Sequence, residues 1–187
     1  MPLFSSLYRK RRPDSPWPAV QIHAAAGNPT RGVLIAGGRT IPVALGRGGI
    51  RADKREGDGG TPRGTYHPRR LWYRADRHPR PKTLLPVRAI LAADAWDESP
   101  ASRSYNRPIR LGEAAAGDRL MRADALYDYI VEIDHNTRPR IAGRGSAVFL
   151  HLARPGFAPT AGCVAMTAPA MLQLLKRLGP ATRIVIG

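Results

Sequence analysis

The sequence predicts a mainly β fold, a sandwich or meander of short strands with one or a few short packed helices. Three observations carry this. Gly (19 residues) and Pro (18) make up roughly a fifth of the 187 residues, which favours many turns over a helical bundle. Apolar residues alternate in short runs, as in Ile41, Val43 and Leu45, and again in Tyr127, Tyr129, Val131 and Ile133. Only the stretch from Ala168 to Leu178 combines helical spacing with a cap and a stop.

The elements follow in chain order. Residues 1–16, with the run Arg9-Lys10-Arg11-Arg12-Pro13, read as a basic, flexible N-terminal tail, and residues 17–187 as one folded domain. Val20-Gln21-Ile22 opens a strand. A turn around Gly27-Asn28-Pro29 leads to a second strand, Gly32 to Ile35, and Gly37-Gly38 turns into a third, Thr40 to Leu45. Residues 51–64 form a charged, Gly-rich loop that leads into a strand beginning at Thr65-Tyr66. The middle, from about 75 to 124, is rich in Pro, Arg and Asp and gives only weak signals. Its aromatics Trp96 and Tyr105 are expected either to line a substrate groove or to anchor loops. Tyr127 to Asp134 is the clearest strand, and Ser146 to Leu152 is another. Thr167 then caps a helix with Pro169 in its first turn. Met171, Leu172, Leu174, Leu175 and Leu178 give the helix an apolar face, Gly179-Pro180 stops it, and Arg183 to Ile186 is a last strand.

Charge and composition exclude several classes. Lys and Arg number 30 against 14 Asp and Glu, a formal charge of +16, and all but Lys10, Lys54, Lys82 and Lys176 are arginine. Such a surface attracts polyanions in general. The basic residues are nevertheless spread along the chain, without zinc-finger spacing, a basic heptad region or an RNP-like aromatic strand, so no specific nucleic-acid partner is expected. A single cysteine excludes a disulfide framework within the chain. The five histidines include no close pair, so neither a metal site nor a cofactor is expected. No apolar run is long enough to span a bilayer, and the basic N-terminal run is followed by Pro-flanked residues rather than the apolar core of an export signal.

The chemistry concentrates near the C-terminus. Cys163 follows Pro159-Thr160-Ala161-Gly162, a loop that lets the backbone bend closely around the sulfur, and the helix cap stands four positions later. This reads as a partly exposed thiol on a tight turn, a better nucleophile than a core filler. His151 ends the Val148-Phe149-Leu150 strand 12 residues earlier, within loop distance of the cysteine. A cysteine nucleophile needs such an imidazole to take its proton or to pair with its thiolate.

These residues resemble the L,D-transpeptidase catalytic domain, or YkuD family, in a compact proteobacterial branch. The family pattern of a strand-end histidine, a loop and Ser/Thr-x-Gly-Cys is matched by His151, Thr160-Ala161-Gly162-Cys163 and Val164. Its Thr-Pro-x-Gly-x-Tyr/Phe stretch is matched by Thr61-Pro62-Arg63-Gly64-Thr65-Tyr66. Ser104 to Arg107, Tyr127 to Asn136 and Gly143 to His151 add to a likeness that spans about Gln21 to Gly187. Familiar members carry histidine at the place of Ala161 and arginine at that of Ala165, so the residues that hold substrate differ here.

The resemblance implies a cysteine-dependent acyltransferase of bacterial peptidoglycan, in the periplasm or cell envelope, with a monomer favoured. It implies Cys163, His151 and Gly162 as catalytic residues, the last through its backbone N–H. Thr160, Ala161, Arg144, His135, Tyr105 and Trp96 are expected around the substrate. Peptidoglycan stem peptides are the implied partners, joined from diaminopimelate to diaminopimelate or from L-Ala to diaminopimelate. The alternatives are an L,D-carboxypeptidase or amidase with the same site, and a basic nucleic-acid or wall-binding module without catalysis.

Overall fold

The computed structural model describes residues 15–111 and 117–187, so most of the expected N-terminal tail lies outside the described residues. Its strands are β1 (Ala19–Ala25), β2 (Asn28–Ala36), β3 (Arg39–Ala44), β4 (Ile50–Arg51), β5 (Thr61–Pro62), β6 (Gly64–Tyr66), β7 (Pro68–Tyr73), β8 (Val87–Ala89), β9 (Asp94–Asp97), β10 (Arg107–Arg110), β11 (Asp118–Arg119), β12 (Tyr129–Ile133), β13 (Phe149–Leu152), β14 (Val164–Met166) and β15 (Arg183–Ile186). One α-helix, α1, spans Ala168–Leu175.

Ten strands form one large mixed sheet in the order β6-β15-β1-β2-β3-β14-β13-β12-β7-β8, beside a small sheet β10-β9-β11 and the pair β4-β5. The side-chain period of two sorts this sheet into two faces. Val20, Ile22, Leu34, Val43, Leu71, Val131, Leu150, Val164, Met166 and Ile184 gather in the larger core, which α1 covers with Met171, Leu174 and Leu175. The helix starts where expected: Thr167 Oγ1 accepts from the Ala170 N–H at 3.4 Å.

The next residues along the same strands point the other way. Trp72, Ile130, Phe149 and Cys163 join Trp96 of β9, Leu120 and Ala147 in a second, smaller core. Trp96 stands edge-on to Phe149, with ring centroids 4.9 Å apart. The small sheet therefore covers part of the second face.

The N-terminal meander and the closing strand are as expected, with the first turn at Ala26-Gly27, slightly earlier than read; the helix starts as expected but ends at Leu175, before the Gly179-Pro180 stop read in sequence. Other elements differ. β12 begins at Tyr129 and is buried on both faces, since β7 and β13 flank it and cores lie above and below. A strand also stands where the sequence suggested only a turn into the helix: β14 runs parallel to β13, pairing Leu150 with Val164 and His151 with Ala165. That insertion decides the position of Cys163.

Candidate active site

Cys163 immediately precedes β14, and His151 is the third residue of its parallel neighbour β13. Sheet register thus brings together on the second face two residues that are 12 positions apart in sequence. Both line a cleft of about 420 Å³, together with Thr160, Ala161 and Gly162 from the crossover loop. Arg154 and Pro159 of that loop, Lys54 and Glu56 of the Gly-rich loop, Glu98, Asp118 and Tyr127 from the covering side, and Arg47 and Arg122 are among the residues of its walls.

The loop before Cys163 is tied down by backbone bonds. Thr160 N–H donates to the Leu45 carbonyl at 2.9 Å, and Arg47 N–H donates to the Thr160 carbonyl at 2.9 Å. Gly46 N–H donates to Thr61 Oγ1 at 2.8 Å, joining the Thr-Pro motif to the same layer. The segments pass so closely that only glycine fits. A Cβ on Gly46 would lie 2.0 Å from the Gly59 carbonyl oxygen, and one on Gly162 would lie 2.8 Å from that of Gly60. Gly162 also has φ +145°, a backbone angle that side-chain-bearing residues rarely adopt. Thr160 Oγ1 closes the turn, donating to the Cys163 carbonyl at 2.7 Å and accepting from the Gly162 N–H at 3.1 Å. The Gly162 N–H expected to face an oxyanion is therefore engaged with Thr160 in this conformation.

The sulfur is more enclosed than the sequence suggested. Cys163 is only 7% exposed because Phe149 and Ala147 pack against it. Its thiol donates to the Ala147 carbonyl at 3.2 Å, and Sγ accepts from the Phe149 N–H at 3.3 Å. Ala147 is itself held at φ +50°, its N–H donating to Asn106 Oδ1 at 3.2 Å. Burial pushes the Cys163 thiol up to about 12; Asp118 and Glu98 push in the same direction, while the Phe149 N–H and Lys54 oppose.

His151 Nδ1 lies 2.8 Å from the Leu152 carbonyl. A carbonyl can only accept, so Nδ1 carries the proton and Nε2 is left as the basic nitrogen. Burial pushes His151 down to about 4; the Leu152 bond partly opposes this, and Arg122 and Arg154 lower it further. The Tyr127 ring stands edge-on to the imidazole at 5.5 Å between centroids, and its hydroxyl donates to Asp118 at 2.7 Å. At neutral pH the resting pair is a thiol and a neutral imidazole. Glu98 is pushed up to about 7, first by desolvation and then by the like charges of Asp118, Glu56 and Asp97.

The structure separates the nine residues singled out in sequence. Cys163, His151, Gly162, Thr160 and Ala161 meet at the cleft. Arg144, His135, Tyr105 and Trp96 do not line it. Trp96 and Tyr105 are each 3% exposed; Trp96 Nε1 donates to Asn106 at 3.0 Å and the Tyr105 hydroxyl donates to Glu56. Both use their polar ends inside the protein, which is the loop-anchoring outcome. Arg144 pairs with Asp53, and His135 Nε2 lies 3.1 Å from the Arg144 carbonyl, so both brace the Gly-rich loop from behind.

Lys54, Glu56, Glu98, Asp118 and Tyr127 line the cleft without having been singled out. Buried Asn106 was missed as well: it accepts from Trp96 and Ala147 and donates to the carbonyls of His135 (3.1 Å) and Asn136 (2.9 Å). Their sequence signal was weak because each is a single polar residue with no partner at a motif spacing, and Tyr127 read only as part of an alternating strand. Among the described residues no cluster of His, Cys, Asp and Glu is suited to a metal ion, and no helix is long and apolar enough to cross a membrane.

Solved structures that align with 90% of the chain include three L,D-transpeptidases. L,D-transpeptidase 1 of Mycobacterium tuberculosis is 15% identical, with 61% of its own chain covered and a TM-score of 0.38. An L,D-transpeptidase of Mycobacterium smegmatis is 12% identical, with 58% covered and a TM-score of 0.41. L,D-transpeptidase 3 of Mycobacterium tuberculosis, in complex with a faropenem-derived adduct, is 12% identical, with 60% covered and a TM-score of 0.42. The chain thus spans about three-fifths of the length of these structures. A search of curated proteins gives no match. The match that decides the assignment is to YkuD, the L,D-transpeptidase catalytic domain, and it extends over residues 13–186. The chain belongs to the YkuD family of L,D-transpeptidase catalytic domains.

Proposed function

We propose that the protein is a peptidoglycan L,D-transpeptidase that crosslinks stem peptides through a thioester on Cys163, in the periplasm or cell envelope. The observation that carries this reading is that His151 on β13 and Cys163, immediately before the parallel strand β14, line one cleft in a domain of this family.

The chemistry follows from the resting state. With the thiol pushed up and the imidazole pushed down, general-base catalysis serves better than a preformed ion pair. Sγ attacks the carbonyl carbon of the bond between an L-centre and a D-residue as its proton passes to His151 Nε2. The carbonyl oxygen becomes an oxyanion at the Gly162–Cys163 turn, where the Cys163 N–H, and the Gly162 N–H on leaving Thr160, would donate to it. Collapse breaks the C–N bond. The leaving amine of the D-residue takes the proton from the imidazolium, and the donor stem remains as a thioester. An amine of the acceptor stem then attacks the thioester carbonyl and gives a proton to His151, which returns it to the departing sulfur. The cationic rim of Arg47, Arg122 and Arg154 suits a substrate rich in carboxylates.

The test is mass spectrometry of products after incubation with defined tetrapeptide stems, with Cys163→Ala as control. New dimers made by the wild type alone are expected, and fragmentation identifies the residues joined as diaminopimelate–diaminopimelate or L-Ala–diaminopimelate. Shortened monomers without dimers would replace the transferase by a hydrolase using the same site. No change with any stem would overturn the reading.

A further inference from the structure

The proposed chemistry puts negative charge on a buried sulfur whose surroundings, apart from the imidazolium formed as His151 takes the proton, offer little to receive it. Asp118 and Glu98 face Cys163 and oppose ionisation, the Tyr127 hydroxyl opposite is uncharged, and buried His151 is neutral. Four cations line the cleft. Arg47 and Arg154 are exposed, and Arg122 is half-buried and paired with Asp124 at 2.8 Å. Lys54 is the buried one, at 7% exposure.

Its position is fixed on every side. Lys54 Nζ donates to Asp58 Oδ1 and to the Arg55 carbonyl, each at 2.6 Å. Asp58 is held in turn by the N–H groups of Arg55 (2.8 Å) and Gly60 (2.7 Å). The stem runs between the two glycines that flank the sulfur's surroundings. A Cβ on Gly145 would stand 3.0 Å from Lys54 Cγ and 3.1 Å from Cε, and one on Gly162 would stand 3.7 Å from Cε. The ammonium is thus one bond from a carbon that stands within van der Waals reach of where a side chain on Gly162 would begin, in the same cleft as Cys163. Two of its three protons serve Asp58 and Arg55, leaving the third without a partner among the described residues.

We propose that Lys54 is a positioning residue for the nucleophile: its ammonium, locked into the 53–60 loop beside Gly162, is the fixed positive charge against which the Cys163 thiolate forms. This rests on Cys163 being the nucleophile but not on any substrate, so it can fail independently of the transpeptidase reading. An ammonium on a short clamp loses no entropy on meeting the developing charge, and in a partly desolvated site it is little screened by salt.

The experiment is alkylation of Cys163, the only cysteine in the chain, by iodoacetamide over pH 7 to 10. It is followed by intact mass in the wild type, Lys54→Gln, Lys54→Arg and Asp58→Asn. Only the thiolate reacts, so loss of one nearby charge, which moves a pKa by about one unit, lowers the rate about tenfold at every pH below the midpoint. Lys54→Gln is expected to show that loss, whereas Lys54→Arg stays within about threefold of the wild type. Asp58→Asn loosens the same loop but keeps the cation, and it is expected to show no loss. A Lys54→Gln rate equal to the wild type, or an equal fall in Asp58→Asn, would overturn the proposal and leave Lys54 as a loop anchor. If the Lys54 variants fail to fold, Asp58→Asn decides alone: removing the carboxylate that neutralises the ammonium is then expected to speed alkylation, and an unchanged or slower rate refutes the charge role.

Discussion

Enclosure of His151 has a consequence for the whole fold that can be measured without substrate. The imidazole is 6% exposed and is held down to about 4 from its ordinary 6.5. In the unfolded chain it takes up a proton as the pH falls through 6.5; in the folded protein it resists until about 4. Between these values the unfolded state binds more protons, so stability falls with falling pH. The difference in pKa corresponds to about 3 kcal/mol, all of it present above pH 6.5 and gone by about pH 4. Other groups titrate over the same range, among them His135, lowered mainly by burial, and Glu98, pushed up to about 7 and therefore acting in the opposite sense. A double difference isolates His151. Urea unfolding followed by tryptophan fluorescence at pH 7.0 and 4.5 gives the loss for the wild type and for His151→Gln, which does not titrate. The wild type is expected to lose about 2–3 kcal/mol more than the variant. Equal losses would refute the reasoning, because they would mean that the imidazole is solvated and not held as a neutral base.

Three substitutions probe the scaffold around it. Gly46→Ala places a Cβ 2.0 Å from the Gly59 carbonyl oxygen and is expected to cost about 1–3 kcal/mol in urea unfolding. It should also slow alkylation of Cys163, because Gly46 shares a bridge with Thr160. Thr160→Val removes the hydroxyl that bridges the Gly162 N–H and the Cys163 carbonyl, leaving both without that partner. A loss of about 1–3 kcal/mol is expected in thermal melts, together with a lower kcat. Leu174→Ala, on the fully buried face of α1, is expected to cost about 2–5 kcal/mol yet leave Cys163 reactivity unchanged at temperatures where the fold persists, since its core lies on the opposite face of the sheet from the cysteine.

The parts of this architecture that were legible in sequence are those with local signals. The meander β1–β3 alternates and turns on glycines, and α1 carries a Thr cap and an early Pro, so their period and punctuation suffice; only the end of α1 was misjudged, since it closes at Leu175 rather than at Gly179-Pro180. Cys163 and His151 were legible because a lone cysteine after a small-residue loop, a short distance past a strand-end histidine, has few structural explanations. The segment from 75 to 124 was not, because β8–β11 are each two to four residues long and their pairing is set by tertiary contact. Val164-Ala165-Met166 was hidden for the same reason: three residues carry no period, and only β3 and β13 on either side make them a strand. That omission left Cys163 expected on an exposed turn when it sits at the mouth of a central strand. Lys54 was illegible as a cleft residue because a lysine in a charged, Gly-rich loop reads as solvated surface, and only the fold encloses it.

The central claim is that Cys163 becomes acylated by a peptidoglycan stem. The most direct measurement is intact-mass spectrometry of the protein quenched in acid seconds after mixing with a tetrapeptide stem. An adduct equal to the stem less its terminal D-residue is expected on the peptide containing Cys163, absent from Cys163→Ala and discharged when an acceptor amine is added. An unmodified protein at all times and stem concentrations, with turnover of the same stem in Cys163→Ala, would contradict the account.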